Sequence, residues 1–200
     1  MSVQLCFETH QTTVDNETGI ATGWLPGRLS ELGRRQAGEL GERRRDDGLS
    51  AVFSSDLRRA VESVEIAFAG SHIPVLLDWR LRECDYGELN GAPRDQVFAD
   101  PMAHLTTPYP GGESWQQAVD RVETFLADLL TRWDGARVLV VGHVATRLGL
   151  DHHLRGIAPA DALATDFVWQ PGWEYVVPSG LSRIGPAGVY IPSCWASPTM

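Results

Sequence analysis

The 200-residue chain contains no lysine; all 17 of its basic residues are arginine. That absence removes Schiff-base chemistry, a lysine general base and the lysine of a P-loop, so any phosphate handling must be done by guanidinium groups. Cysteine is nearly as scarce. Cys6, Cys84 and Cys194 are odd in number, far apart and without a C-x-x-C pair, so neither a disulfide framework nor a zinc site is indicated. No run approaches the eighteen or so apolar residues a membrane span requires, and no basic stretch followed by a long apolar one opens the chain. The formal charge of -9, with "RRR" at 43–45 standing alone, argues against a nonspecific nucleic-acid binder. These absences leave a cytoplasmic protein with no membrane and no nucleic-acid partner as the expectation.

What is present is an alternation of strand and helix patterns. "SVQLCF" predicts a strand at about 3–8, which yields to a polar, glycine-punctuated loop ending in "TGW". Ser30 is a helix N-cap ahead of "ELGRRQAGELGERRR", where Leu32, Ala37, Leu40 and Gly41 recur at helical spacing. "LSAVFSS" reads as a second strand. "DLRRAVESVEIAFAG" reads as a helix capped by Ser55 or Asp56, with Leu57, Ala60, Val61, Val64 and Ala67 along one face. "IPVLLD" is a third strand. From Trp79 to Pro110 no period is sustained apart from a short helix around 94–103, so the segment is an excursion over the surface. "SWQQAVDRVETFLADLLTRW" is a strongly amphipathic helix. "ARVLVVGH" is apolar on both alternating faces, as a buried parallel strand must be, and a helix follows at about 145–155. "TDFVWQ" and "WEYVV" are expected to form a late hairpin. The tail from 178 to 200 lacks periodicity and reads as either a loosely ordered end or a contact in a homodimer.

Such alternation implies an α/β fold: a three-layer sandwich, with a mostly parallel sheet and helices on both faces, and ligands gathered at the carboxyl ends of the strands. Residues 1–177 would form one domain, with the excursion (79–113) over the site. His10 and His143 would both stand at strand ends. A single loop histidine is most often solvated surface, and an arginine on an amphipathic helix is usually a solvated face. Two histidines, an arginine after a third strand and a glutamate in the excursion together have a chemical logic. An imidazole can attack phosphorus, an arginine and a second histidine can hold the phosphoryl oxygens, and a carboxylic acid can protonate the leaving oxygen.

The order and spacing of these segments resemble the histidine phosphatase superfamily and, in the N-terminal loop, the cofactor-dependent phosphoglycerate mutases. The resemblance rests on His10, Asn16 six residues later, Thr22-Gly23-Trp24, then Ser55, Leu57, Arg59 and Ala60, "LRECDYGELNG", and "VLVVGH". It implies that His10 is the nucleophile and that Arg59 and His143 bind the phosphoryl group. Thr9, Asn16, Thr22 and Gly23 would assist, Glu83 would be the proton donor, and Tyr86 and Arg94 would stand at substrate positions. No cofactor or metal is implied. The expected reaction is hydrolysis of a small phosphomonoester through a phosphohistidine.

The departures are local. The family's Arg-His-Gly reads Thr9-His10-Gln11 here, so one phosphate-clamping charge is missing and a close-approach glycine carries a side chain. A charged hydrogen bond of this kind is worth about 1.5–3 kcal/mol, or one to two powers of ten in rate if lost from the transition state. Thr9, Gln11, Thr12 and Thr13 offer neutral donors, and Arg28, Arg82 or Arg147 is expected to restore the charge. The 94–111 stretch is short and has no paired arginines for a second phosphate, which favours a phosphatase over a mutase. Two rival readings are a phospho-ligand-binding module with weak turnover and an enzyme using His10, Glu83 and His143 as acid–base groups on another substrate. His72, His104, His152 and His153 are expected at the surface or an interface, and Cys84, a lone cysteine with no assigned base, is expected to be unreactive.

Overall fold

The computed structural model describes residues 2–165 and 167–179. Seven strands and seven α-helices follow in the order β1 (Val3–Thr9), α1 (Val14–Glu17), β2 (Ile20–Ala21), α2 (Glu31–Arg44), β3 (Ala51–Ser54), α3 (Arg58–Ala67), β4 (Val75–Leu77), β5 (Ala92–Pro93), α4 (Arg94–Val97), α5 (Trp115–Arg132), β6 (Arg137–Gly142), α6 (Val144–Arg155), α7 (Pro159–Leu163) and β7 (Trp173–Val177). The main sheet runs β4-β3-β6-β1-β7, and β2 and β5 form a separate two-stranded ribbon. Within the main sheet β4, β3, β6 and β1 are parallel, and β7 pairs antiparallel with β1.

The central strands β1, β3 and β6 are buried on both faces, which is why their sequences read as nearly unbroken apolar runs. One face packs Leu5, Phe7, Phe53, Val138 and Val140 against Val122, Phe125 and Leu126 of α5 and Leu150 of α6. The other packs Cys6, Val52, Leu139 and Val141 against Leu40 of α2 and Val64 and Ala67 of α3. Helices therefore cover both faces of the sheet, making three layers. The order places β1 beside β6 with Thr9 opposite Gly142, so the residues that follow, His10 and His143, emerge side by side at one sheet end.

Several expectations change. "TDFVWQ" forms no strand among its described residues, and β7 pairs with β1 instead of a hairpin partner. Trp173 and Tyr175 turn into the core from the alternate positions of β7, while Val168 is 74% exposed. Leu32 faces solvent, because the buried stripe of α2 runs through Gly33, Ala37, Leu40 and Gly41. The N-cap of α3 is Leu57, without a side-chain cap, and Ser55 Oγ instead accepts from the Leu57 amide at 3.2 Å in the turn before it. The helix expected around 94–103 is two short pieces, α4 and a 3₁₀ turn at Pro101–His104. His153 is buried, and its Nε2 lies 3.0 Å from the Val119 carbonyl, tying α6 to α5. Cys84, by contrast, meets its expectation: burial pushes its thiol far above the ordinary range, so it is inert. The tail expectation falls on residues 180–200, outside the described ones.

Candidate active site

All ten residues singled out from the sequence line one cleft of about 950 Å³: Thr9, His10, Asn16, Thr22, Gly23, Arg59, Glu83, Tyr86, Arg94 and His143. Its floor is built from strand ends. The rings of His10 and His143 lie with centroids 4.9 Å apart. His10 Nδ1 is 2.8 Å from the carbonyl of Gln11. A carbonyl only accepts, so Nδ1 carries the proton and Nε2 is left with a lone pair.

Arg59 joins the two imidazoles. Its Nε donates to His10 Nε2, and its Nη2 lies the same 3.3 Å from His143 Nδ1. Since guanidinium can only donate, His143 accepts at Nδ1 and carries its proton on Nε2. That Nε2 is buried and has no hydrogen-bond partner among the described residues. A buried donor left unpaired costs about 1–3 kcal/mol, so this N–H is held ready for an acceptor entering the cleft.

The guanidinium is fixed by the loop that the sequence ends in "TGW". Nη2 donates to the Gly23 carbonyl at 2.8 Å and Nη1 to the Leu25 carbonyl at 3.1 Å. Gly23 has φ +54°, and a Cβ there would stand 1.7 Å from Asn90 Oδ1, so a glycine is required on both counts. Gly23 thus acts through Arg59, by its carbonyl. Asn16 and Thr22 line the cleft, but their observed bonds are internal. Asn16 Oδ1 accepts from the Thr13 amide in a capping box, and Thr22 Oγ1 donates to Asp15 at 2.8 Å.

Glu83 is positioned from two directions. Its Oε1 accepts from the amides of Cys84 at 2.9 Å and Ala145 at 3.1 Å, the latter in the first turn of α6. Its carbonyl oxygen accepts from the Trp24 indole at 2.6 Å and from Arg121 at 2.8 Å. Neither Trp24 nor Arg121 is legible from sequence as a support for Glu83. Tyr86 is buried among Phe98, Tyr109 and Trp115. Arg94 is exposed at the cleft with its guanidinium 5.4 Å over Phe98.

Thr9 and Gln11 bind each other rather than reaching outward: Gln11 Nε2 donates to the Thr9 carbonyl at 3.2 Å, and the Gln11 amide donates to Ser63 Oγ at 3.1 Å. Of the three arginines expected to replace the missing charge, Arg82 is paired with Asp56 and lies over Trp24. Arg28 is exposed and does not line the cleft. Arg147 lines it, but bonds to Asp151. Among the described residues, Arg59 is the guanidinium that touches His10.

Burial and then the Arg59 charge push His10 down to about 3, against the opposing pull of the Gln11 carbonyl. The same two causes, in the same order, hold His143 well below the ordinary histidine range. Both imidazoles are therefore neutral at pH 7, as a nucleophile must be. An unfolded histidine titrates near 6.5, so on acidification the unfolded chain takes up protons that the folded one refuses. Stability should fall as the pH drops from about 6.5 toward 3, with a slope approaching 1.4 kcal/mol per pH unit for each histidine. Urea unfolding between pH 4 and 7 should show His10→Gln losing one such increment of slope; an unchanged slope would mean His10 is not held neutral.

Sequence reasoning named Arg147 and missed the rest of the far wall. Val144, Arg147, Leu148 and Asp151 face the cleft from α6, at spacings of three, four and seven, which is one face of a helix. That spacing, counted on from Val144, was the available signal. Phe98 and Pro101 of the excursion, and Leu163, Phe167 and Trp169 after α6, complete the wall.

Comparison with known proteins gives the family and the fold. The model of the histidine phosphatase superfamily (branch 1) matches residues 6–168. Probable phosphoglycerate mutase GpmB of Salmonella typhi is 32% identical over 163 residues, covering 74% of this chain and 76% of that protein. Among solved structures, YhfR of Bacillus stearothermophilus superposes with a TM-score of 0.76 at 28% identity, over 84% of this chain and 88% of that one. A mycobacterial glucosyl-3-phosphoglycerate phosphatase superposes with a TM-score of 0.70 at 30% identity, over 82% and 84%.

Proposed function

Because the chain belongs to the histidine phosphatase superfamily, branch 1, we propose that it hydrolyses a small phosphomonoester through a phosphohistidine at His10. The observation that carries this reading is the bridge of Arg59 between His10 Nε2 and His143 Nδ1. It sets the His10 Nε2 lone pair, which here accepts from Arg59, and the His143 N–H, unpartnered among the described residues, on either side of one positive charge.

When the substrate's phosphoryl group enters, Arg59 Nε turns from the imidazole lone pair to a phosphoryl oxygen, and His143 Nε2 donates to another. The His10 Nε2 lone pair forms the N–P bond as the P–O bond to the leaving alcohol breaks. Glu83 gives that oxygen its proton. In the second half Glu83, now a carboxylate, takes a proton from water; the water oxygen bonds to phosphorus, the N–P bond breaks, and inorganic phosphate leaves with His10 neutral again.

Thr9 makes this clamp one charge short. In a panel of small phosphomonoesters, Thr9→Arg is therefore expected to raise phosphate release by about 10- to 100-fold, the worth of one charged hydrogen bond in the transition state. An unchanged or lower rate in a folded Thr9→Arg variant would mean that the site is rebuilt for a different acid–base reaction or for binding alone. Hydrolysis of the phosphoryl group is favoured over transfer to a second alcohol because no pair of arginines adjoins the 94–111 stretch.

A further inference from the structure

Arg94 and Arg147 are cations of this cleft that the reaction does not use; Arg94 is exposed and rests on Phe98 alone, whereas Arg147 is anchored. It stands one turn beyond His143 on the cleft face of α6, yet its side chain leans away from the histidines. Its Nε donates to Asp151 Oδ2 at 3.2 Å, four residues further along the helix. Its guanidinium carbon sits 4.8 Å over the Trp173 ring and 5.6 Å over Phe167. One end of the fork is tied and one face stacked, while its Nη nitrogens have no hydrogen-bond partner among the described residues.

Asp151 does not cancel the charge. It is buried, and its Oδ1 also accepts from Arg155 at 3.0 Å and from the Tyr175 hydroxyl at 2.8 Å. Two guanidinium groups share one carboxylate, so the cluster keeps a net charge of +1. Asp161 lines the cleft as well but is exposed and makes no ion pair with Arg147. A stacked, anchored guanidinium with unspent donors is pre-organised for a planar or tetrahedral anion and loses little entropy in binding it. The cleft lining includes Phe98, Trp115, Leu148, Leu163 and Phe167, an apolar surface beside the polar Asn16, Gln36 and Arg94.

We propose that Arg147 holds a second anionic group of the substrate, a carboxylate or phosphate, on the α6 wall of the cleft. The substrate body that joins this group to the scissile phosphoryl is apolar and bulky, ring-like rather than polyhydroxylated. The inference rests on the phosphomonoesterase reading of the same site, and it makes Arg147 a specificity residue instead of a replacement for the charge missing at position 9. The two anions then bind separate cations, Arg59 and Arg147.

Nonhydrolysable ligands test it without requiring turnover. Binding of 3- and 4-carboxybenzylphosphonate is measured by calorimetry beside the neutral carbamoyl isosteres, for the wild type, Arg147→Gln and Arg147→Lys. The wild type should favour a carboxylate ligand by at least tenfold, Arg147→Gln should lose that preference while keeping its affinity for the carbamoyl ligand, and Arg147→Lys should retain part of it. No preference in the wild type, a preference that survives in Arg147→Gln, equal weakening of every ligand, or no binding at all would each overturn the proposal. Hydrolysis of the corresponding benzyl phosphates is read separately. Preference without hydrolysis would sink the phosphatase reading and leave the second anion site standing; hydrolysis without preference would do the reverse.

Discussion

His10→Gln is expected to lower phosphate release by three orders of magnitude or more, about 4 kcal/mol or more of barrier. The side chain is similar in length, and its amide can still meet the Gln11 carbonyl and Arg59, so the floor of the cleft should keep its shape. What it lacks is the imidazole lone pair. The covalent route then closes, and only direct attack of water on a phosphoryl group held by Arg59 and His143 remains. Initial rates on the best substrate of the panel measure this, with circular dichroism to establish that the variant is folded. A residual rate within tenfold of the wild type would mean that His10 is not the nucleophile.

Glu83→Gln carries the next largest expected effect, a loss of about 10²- to 10⁴-fold on alkyl phosphates, the usual worth of a placed general acid. Glutamine keeps the acceptor oxygen that the Cys84 and Ala145 amides hold, so the change is confined to the proton. The two half-reactions can be separated by the leaving group. With 4-nitrophenyl phosphate the phenolate leaves without help, so Glu83→Gln should release about one equivalent of nitrophenolate per chain rapidly and then slow, because water lacks its base in the second half. Equal loss on alkyl and nitrophenyl esters, with no burst, would assign Glu83 to structure or binding.

Which parts of this were legible in the sequence follows from where the information is local. The strands β1 and β6 announce themselves because both faces are buried, and so the apolar run of "VLVVGH" is continuous up to the turn. The histidines that end them inherit their meeting from the parallel register. Asn16, Thr22, Gly23 and Arg59 come from the family resemblance, yet their contacts differ from a simple phosphate shell. Gly23 serves through a carbonyl, and Asn16 and Thr22 hold the loop. "TDFVWQ" misled because aromatic and β-branched residues suit both a strand and a cleft wall. Only the tertiary arrangement sends Phe167 toward the cleft and Val168 to solvent. The supports of Glu83 were illegible for a similar reason: Trp24 and Arg121 reach its carbonyl from 59 and 38 residues away. The missing charge at Thr9 was plain, whereas the outcome that Arg82 and Arg147 are each committed to another carboxylate depends on Asp56 and Asp151, which no spacing rule connects to them.

The central claim is that a covalent phosphoryl group forms on His10. Rapid acid-free quenching of the wild type with a ³²P-labelled phosphomonoester, followed by alkaline gel electrophoresis and peptide mapping, measures it directly. The account predicts an alkali-stable, acid-labile label on the peptide carrying His10, turning over to phosphate at the steady-state rate and absent from His10→Gln. Steady phosphate release by the wild type with no label, or with the label on another residue, would contradict it.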